Sequence, residues 1–322
     1  MNTLRVVTLG ALAAAVIAGC SSSTPERPVE VSPVYPSPAG SGQVTEMPPA
    51  PSADCDREAS LRPGPLPAPG AMPAGSSMAA IQERGRLVVG VDQNTFLFGF
   101  RDPATGRLEG FDIDIAREMA RAIFGDPNRI DLRVVDAGQR EAALQSGQVD
   151  LVVRTFSITC ARKQNIAFST VYYNAEQRVL ALKGAGINSA ADDLAGKRVC
   201  AVNGTTSMAA LYALQKRPEL VGVSSWTDCL VMLQQGQVDA ISTDDAVLAG
   251  LARQDPTVEI MGEPLGVEPY GIGVKAENVD LVRFVNAVLD RMRADGTWER
   301  LYANHLQSFG PSPGPPAPRY ED

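Results

Sequence analysis

Few residues in this 322-residue chain have the chemistry of a catalyst. The one histidine, His305, stands near the end of the last amphipathic helix pattern, far in sequence from the glycine-containing loops that could form a cleft. So placed, it leaves Ser-His-Asp, Cys-His and histidine–metal schemes without a base or a ligand. The glycine-rich pieces GVDQNTFLFG and NGTTS match neither GxGxxG nor GxxxxGK[ST], so no cofactor motif is present. No cofactor, no metal and no catalytic residue is expected. The chemistry that remains to the five cysteines is lipidation and disulfide formation.

Cys20 follows Arg5, the apolar run Ala11–Ala18 and Gly19, a short signal-peptide pattern. A cysteine after small residues at such a cleavage point is similar to a lipobox, so residues 1–19 are expected to be removed and Cys20 to carry lipid, palmitate included. The alternative is an ordinary signal peptide with an accidental cysteine. No later stretch has the roughly 20 apolar residues of a membrane span. Cys55, Cys160, Cys200 and Cys229 then form an even set in an exported chain, where disulfides are the default and three pairings are open. Cys200 ends KRVCAV and Cys229 opens CLVMLQQG, which suits one lobe, so Cys200–Cys229 is favoured; its loop of about 30 residues is worth about 3.6 kcal/mol in the chain-entropy model. Cys55–Cys160 follows by elimination, with free buried thiols as the other reading.

Residues 20–77 are dominated by Pro, Ser, Gly and Ala and read as a disordered or polyproline-like tether reaching about 40 Å. The tail 308–322, GPSPGPPAPRYED with the residues before it, reads as equally disordered. The roughly 230 residues between suffice for two lobes with adequate cores. With 29 basic against 37 acidic residues and no clustered cations, nucleic acid is excluded as a partner.

Within the body, RLVVGV, FDIDIAREMARAIF, DLRVV, EAALQSG and VDLVVR alternate strand and helix patterns, and KRVCAV, MAALYALQKR, VSSW, DCLVMLQQG and VDAISTD repeat the order. REAALQSGQVDLVV and CLVMLQQGQVDAIS resemble each other in turn and strand placement. Alternation of this kind gives parallel sheets covered by helices, and two such halves leave a cleft outside the strand ends.

GRLVVGVD (85–92), LEGFDIDIAREMA (108–120), SITCARKQNIAFS (157–169), QVDAISTDDAVLAG (237–250), PYGIGV (269–274) and ADGTWERLY (294–302) together resemble the family 3 extracellular solute-binding proteins for polar amino acids. The resemblance spans about 80–306. It implies a periplasmic-binding-protein-like α/β fold: a large lobe of 80–176 plus 267–307, a small lobe of 177–266, and a two-segment hinge whose closure buries a ligand. It also implies a monomeric receptor at the outer face of a cell membrane, delivering an amino acid (glutamate, aspartate, glutamine or asparagine) to an ABC permease. A transmembrane sensor as partner, or a cyclohexadienyl or arogenate dehydratase activity using Glu268, are the alternatives.

The same resemblance assigns site residues. Arg162 falls on the guanidinium clamp for the α-carboxylate, where planar bidentate pairing suits arginine; outside the motif it would read as a surface arginine. Asp244 falls on the acceptor for the α-ammonium, a group with donors only, with its neighbour Asp245 as the alternative one residue on. Thr155 and Ser157 match positions that meet the carboxylate and ammonium, and Thr206 a carboxylate contact at a helix start. Asp92 matches a polar contact. Phe98 matches an aromatic wall, although Phe96, Phe98 and Phe100 alternate as one face of a strand would.

Three positions depart from the family pattern. Arg154 stands where glutamine-preferring relatives are small and neutral; it either reads a side-chain carboxylate, favouring aspartate or glutamate, or pairs internally with Asp150 or Asp92. Arg101 is a weaker candidate of the same kind. Thr243 replaces a frequent histidine, and Val202-Asn203 replaces a lysine before GTTS.

Overall fold

The run RLVVGV forms the strand Leu87–Val91, buried at all five residues, as a strand covered on both faces must be. The computed structural model that shows this describes residues 35–47 and 54–322; Cys20 and the signal-peptide pattern lie outside the described residues. All that follows concerns the unit Ser37–Asp322.

Leu87–Val91 lies between two parallel neighbours, Ile130–Val134 and Leu151–Val152, and the sheet is completed by Gly273–Lys275 and Ile166–Phe168, both antiparallel additions. The helix Phe111–Phe124 packs on it through Phe111, Ile113, Ile115, Met119 and Ile123. Gly110 precedes this helix at φ 126° and Gly125 ends it at φ 76°, conformations that suit residues without a Cβ. Val279–Ala294 covers the same core with Leu281, Val285, Leu289 and Met292.

A second sheet holds Glu219–Val223, Arg198–Val202 and Ala240–Asp244 in parallel, then Tyr173–Leu182 and Val258–Tyr270 antiparallel. Its core is separate, built on Val199, Ala201, Leu211, Trp226, Leu233, Ile241 and Leu248. The last two strands join the lobes. Tyr173, Ala175 and Tyr270 belong to the first core, whereas Val179, Leu180 and Val258, further along the same strands, belong to the second. Tyr173 faces Tyr270 and Leu182 faces Val258, but the register jumps between them: Gln177 opposes Gly266 and Val179 opposes Met261. The extra residues include Gly262 at φ 74°, and such a bulge lets a strand pair bend. The borders expected at 176/177 and 266/267 fall within these strands.

Both disulfides form as favoured, Cys55–Cys160 with Cα atoms 5.8 Å apart and Cys200–Cys229 with 5.6 Å.

Two expectations are corrected. The tail 308–322 is ordered: Arg319–Tyr320 pairs in parallel with Ala59–Ser60, the Tyr320 hydroxyl donates to Asp290 at 2.7 Å, and Arg283 binds Asp322. The described part of the 20–77 stretch is likewise a strap on the body. Gly42–Gln43 adds an antiparallel strand beside Val221–Gly222, Ser60 and Met72 are buried, and Asn286 Nδ2 donates to Ser60 Oγ at 2.9 Å and to the Leu61 carbonyl at 2.7 Å. Composition measures what a segment buries in itself; here the body supplies the edge, the amide donors and the cysteine that hold it.

Candidate functional site

The strand ends of the two sheets meet at a narrow polar cavity of about 10 Å³, room for about one water molecule between the closed lobes. The large lobe contributes Ala137, Arg140, Arg154, Thr155 and Ser157 to its lining; the small lobe contributes Thr205, Thr206, Ser207, Trp226, Thr243, Asp244 and Val247.

The turn after Leu151–Val152 builds the first wall. Thr155 adopts φ 38°, uncommon for a residue with a branched side chain, and its amide is held by Asp112 Oδ2 at 2.8 Å. Asp112 also accepts from the Tyr172 hydroxyl at 2.8 Å; burial outweighs these bonds and pushes its carboxyl up to about 6. The turn presents the carbonyls of Arg154 and Thr155 to Arg140 Nη1, at 3.3 and 3.2 Å, while Arg140 Nε donates to the Ala137 carbonyl at 2.8 Å. The Arg140 guanidinium centre lies 4.2 Å from the Phe156 ring centroid, and that of Arg162 lies 4.9 Å from the same ring.

Arg154 takes the internal pairing of its two expected arrangements. Its Nη2 is 3.2 Å from Asp92 Oδ2, both side chains being almost wholly buried. Asp150, the other named partner, pairs with Arg84 and caps the Val88 amide. Arg154 nonetheless still lines the cavity, and its Nε is buried without a hydrogen-bond partner. Asp92 is used internally, accepting from the Gln93 and Asn94 amides and the Thr95 hydroxyl as well.

Arg162 begins beside the cavity rather than in its lining. Its Nη1 donates to the Ser157 carbonyl at 2.7 Å, Nη2 reaches the Gly204 carbonyl of the opposite lobe at 3.2 Å, and Nε is 3.6 Å from Glu141. The Thr206 hydroxyl also crosses between segments, donating to Glu268 Oε2 at 2.9 Å and lying 3.3 Å from Ser157 Oγ. Thr206 opens a seven-residue helix capped by Thr205, whose hydroxyl accepts from the Met208 amide.

Asp244 closes the strand Ala240–Asp244 and is 5% exposed. Its Oδ2 accepts from the Tyr270 hydroxyl; its Oδ1 is buried with no partner. Burial, reinforced by the charge of Glu268, pushes its carboxyl up to about 8. Thr243 accepts from Ser207 Oγ at 3.1 Å in the same wall.

Arg154, Thr155, Ser157, Thr206, Thr243 and Asp244 are thus brought together. Arg162 and Asp92 stand just outside the lining, and two candidates lie away from it altogether. Phe98 is fully buried among Phe111, Tyr173 and Tyr270 in the large-lobe core, its ring edge-on to each; it stands in the turn between the strands Asn94–Thr95 and Gly99–Arg101, so it is neither a wall of the cavity nor part of one strand face. Arg101 is exposed, bonded to Gln93 and the Gly106 carbonyl. Arg140 and Trp226 were not anticipated. Arg140 had a signal in the sequence: with Ala143 and Leu144 it makes the i, i+3, i+4 buried stripe of its helix, where an arginine is out of place. The aromatic surface of the cavity is Trp226, at the end of VSSW.

A polar cavity between two hinged α/β lobes is the arrangement of a solute receptor. The chain belongs to the bacterial extracellular solute-binding proteins, family 3, whose model matches residues 87–308. It is 36% identical over 231 residues to the ABC transporter glutamine-binding protein GlnH of Bacillus subtilis, covering 72% of this chain and 85% of that one. To the glutamate-binding protein GluB of Corynebacterium glutamicum it is 31% identical over 252 residues, covering 75% and 85%. Among solved structures it resembles the solute receptor for L-cysteine of Neisseria gonorrhoeae (TM-score 0.70, 28% identity, covering 74% of this chain and 98% of that one). It also resembles an ancestral arginine-binding protein bound to glutamine (TM-score 0.65, 33% identity, covering 69% and 98%). It is an extracytoplasmic solute-binding protein rather than an enzyme, and none of the described helices is long and apolar enough to cross a membrane.

Proposed function

We propose that this protein captures a polar amino acid, acidic or its amide, between its lobes and delivers it to an ABC importer, tethered to the outer membrane face by lipid on Cys20. The observation that carries the reading is Asp244. A buried carboxylate oxygen with no partner, in a cavity whose other polar lining is hydroxyls and guanidiniums, is the acceptor that an α-ammonium requires. Opposite it, Arg162 with Ser157 supplies donors for the α-carboxylate, Arg162 exchanging its present carbonyl partners for a charge-assisted pair. Relatives named for glutamine and for glutamate support a side chain of that length and polarity.

Calorimetric titration of the mature chain with aspartate, glutamate, asparagine and glutamine tests this. Binding by at least one is expected, weakened by about tenfold or more in Arg162→Ala, the loss that follows from removing one charge-assisted hydrogen bond. No binding by any of the four, or an unchanged Kd in the variant, would overturn the ligand class or the assignment of Arg162 respectively.

A further inference from the structure

Arg140 is a guanidinium that the fold buries without giving it an anion. It is 4% exposed, and no acidic group stands within ion-pair distance of it among the described residues, although Arg84, Arg117, Arg154, Arg162, Arg291 and Arg293 all have such a partner. Its nearest charged neighbours include two more cations, Arg162 and Arg154, set against Asp244 and Asp92. Asp92 is committed to Arg154 at 3.2 Å. A desolvated, unpaired charge costs several kcal/mol, so the arrangement would be selected against unless something charged arrives to meet it.

The guanidinium is also held still. Nε and Nη1 are fixed by three carbonyls, those of Ala137, Arg154 and Thr155, and Phe156 lies against the planar group. Those bonds leave Nη2 as the donor with no protein partner. In the same wall Arg154 offers a buried, unpartnered Nε. The charges lining the cavity are therefore two guanidiniums, Arg140 and Arg154, and one carboxylate, Asp244. With Arg162 beside the cavity left to the α-carboxylate, Asp244 to the ammonium, and Asp92 offsetting Arg154, the unbalanced guanidinium of Arg140 is complemented by a second carboxylate on the ligand.

We infer that Arg140 is the specificity-determining residue of this cleft: with Arg154 it binds the side-chain carboxylate of an acidic amino acid, and selects it over the corresponding amide. The inference rests on the ligand class proposed above, in which Arg162 and Ser157 meet the α-carboxylate. Arg154 alone would not select, because Asp92 already offsets its charge; Arg140 supplies the unbalanced one.

The experiment is titration of wild type, Arg140→Gln and Arg140→Lys with the same four amino acids, alongside thermal unfolding of each variant. Wild type is expected to bind aspartate or glutamate about tenfold or more tightly than asparagine or glutamine, the scale of one hydrogen bond to a charged group. Arg140→Gln should weaken the acids by about 10- to 100-fold and the amides by less than about threefold. Arg140→Lys, which keeps the charge but not the fork, should fall between. Equal affinity of wild type for acids and amides overturns the inference without any variant, and so covers the case in which Arg140→Gln does not fold. Equal losses for all four ligands would assign Arg140 to the α-carboxylate instead, and no loss would remove it from the site. Absence of binding to wild type would refute the ligand class itself, a result distinct from these.

Discussion

At the scale of single residues the site sets ionisation against function. Asp244 has to be a carboxylate to accept an ammonium, yet burial and Glu268 hold its carboxyl up at about 8. In the ligand-free protein at pH 7 the carboxyl is therefore largely protonated, and binding must expel that proton. The sign follows directly: below about pH 8 the observed affinity should fall as pH falls, by at most tenfold per unit, and it should level off above pH 8 until the ligand's own amine begins to lose its proton. Titrations between pH 6 and 8 in buffers of different ionisation enthalpy would show both the slope and the released proton. Asp244→Asn should bind weakly with no slope. A wild-type affinity that is flat over that range would mean that Asp244 is not the ammonium acceptor. The sequence made the candidates around this cavity legible because ISTDD and TFSITCAR are local motifs. Arg140 showed only as an arginine in a buried helical stripe, and Asp150 and Asp92 both stood open as partners of Arg154, because the role of the one and the partner of the other depend on which distant segment lies against each. Phe98 and Arg101 failed for the same reason in reverse: adjacency to the first strand says nothing about which side of a turn a side chain leaves from.

At the scale of elements, the large lobe depends on how its main helix starts. Gly110 sits at φ 126°, and a methyl group there would collide with the Phe98 carbonyl oxygen. That carbonyl accepts from the Asp112 amide at 3.0 Å, so the same close approach caps the first turn of Phe111–Phe124 and sets Asp112 beneath Thr155. Gly110→Ala is expected to destabilise by about 3 kcal/mol or more, through forbidden backbone geometry and a backbone collision together. Urea unfolding would measure it, and a loss under about 1 kcal/mol would show that the turn can relax at little cost. The alternation of strand and helix was readable from periodicity, since the strands are continuous apolar runs and the helices carry apolar stripes. The bulge between Gln177 and Val179 was not, because register between two long strands is set by their pairing rather than by either sequence. The straps were not readable either. Gly42–Gln43 and Arg319–Tyr320 are two-residue strands, too short to carry a period, and they are held by groups of the body such as Asn286, Asp290 and Cys160.

At the scale of the molecule the question is what fixes how closely the lobes meet. Besides the two crossing strands, the N-terminal strap touches both, with Gly42–Gln43 on the small-lobe sheet and Cys55 bonded to Cys160 of the large lobe. The direct contacts across the cleft include Arg162 to the Gly204 carbonyl, Thr206 to Ser157 and Glu268, Phe96 against Gly250, and the backbones of Gly138 and Gly204 against each other. The last pair is asymmetric. A methyl group on Gly204 would lie 2.8 Å from Gly138 Cα, which real side chains do not tolerate, whereas one on Gly138 would meet only the Asn203 carbonyl at 3.5 Å, an ordinary contact. Neither glycine lines the cavity. Gly204→Ala should therefore act as a wedge: it pushes the Gly138 and Gly204 backbones apart and lowers amino-acid affinity without removing a ligand contact. A loss of about tenfold or more is expected, since a misfit of a fraction of an ångström in a bidentate charged contact already costs about 1–2 kcal/mol. Because Gly204 is at φ 72°, the ligand-free protein should also lose about 1–2 kcal/mol of stability. That second loss is what makes Gly138→Ala the necessary companion, for it places a methyl on the same interface without the collision and should leave affinity unchanged. If both variants bind like wild type, the approach of Gly138 to Gly204 is not part of the ligand-bound arrangement. If both lose affinity alike, the interface is sensitive to any added bulk, and the asymmetry of its two glycines is not what sets closure.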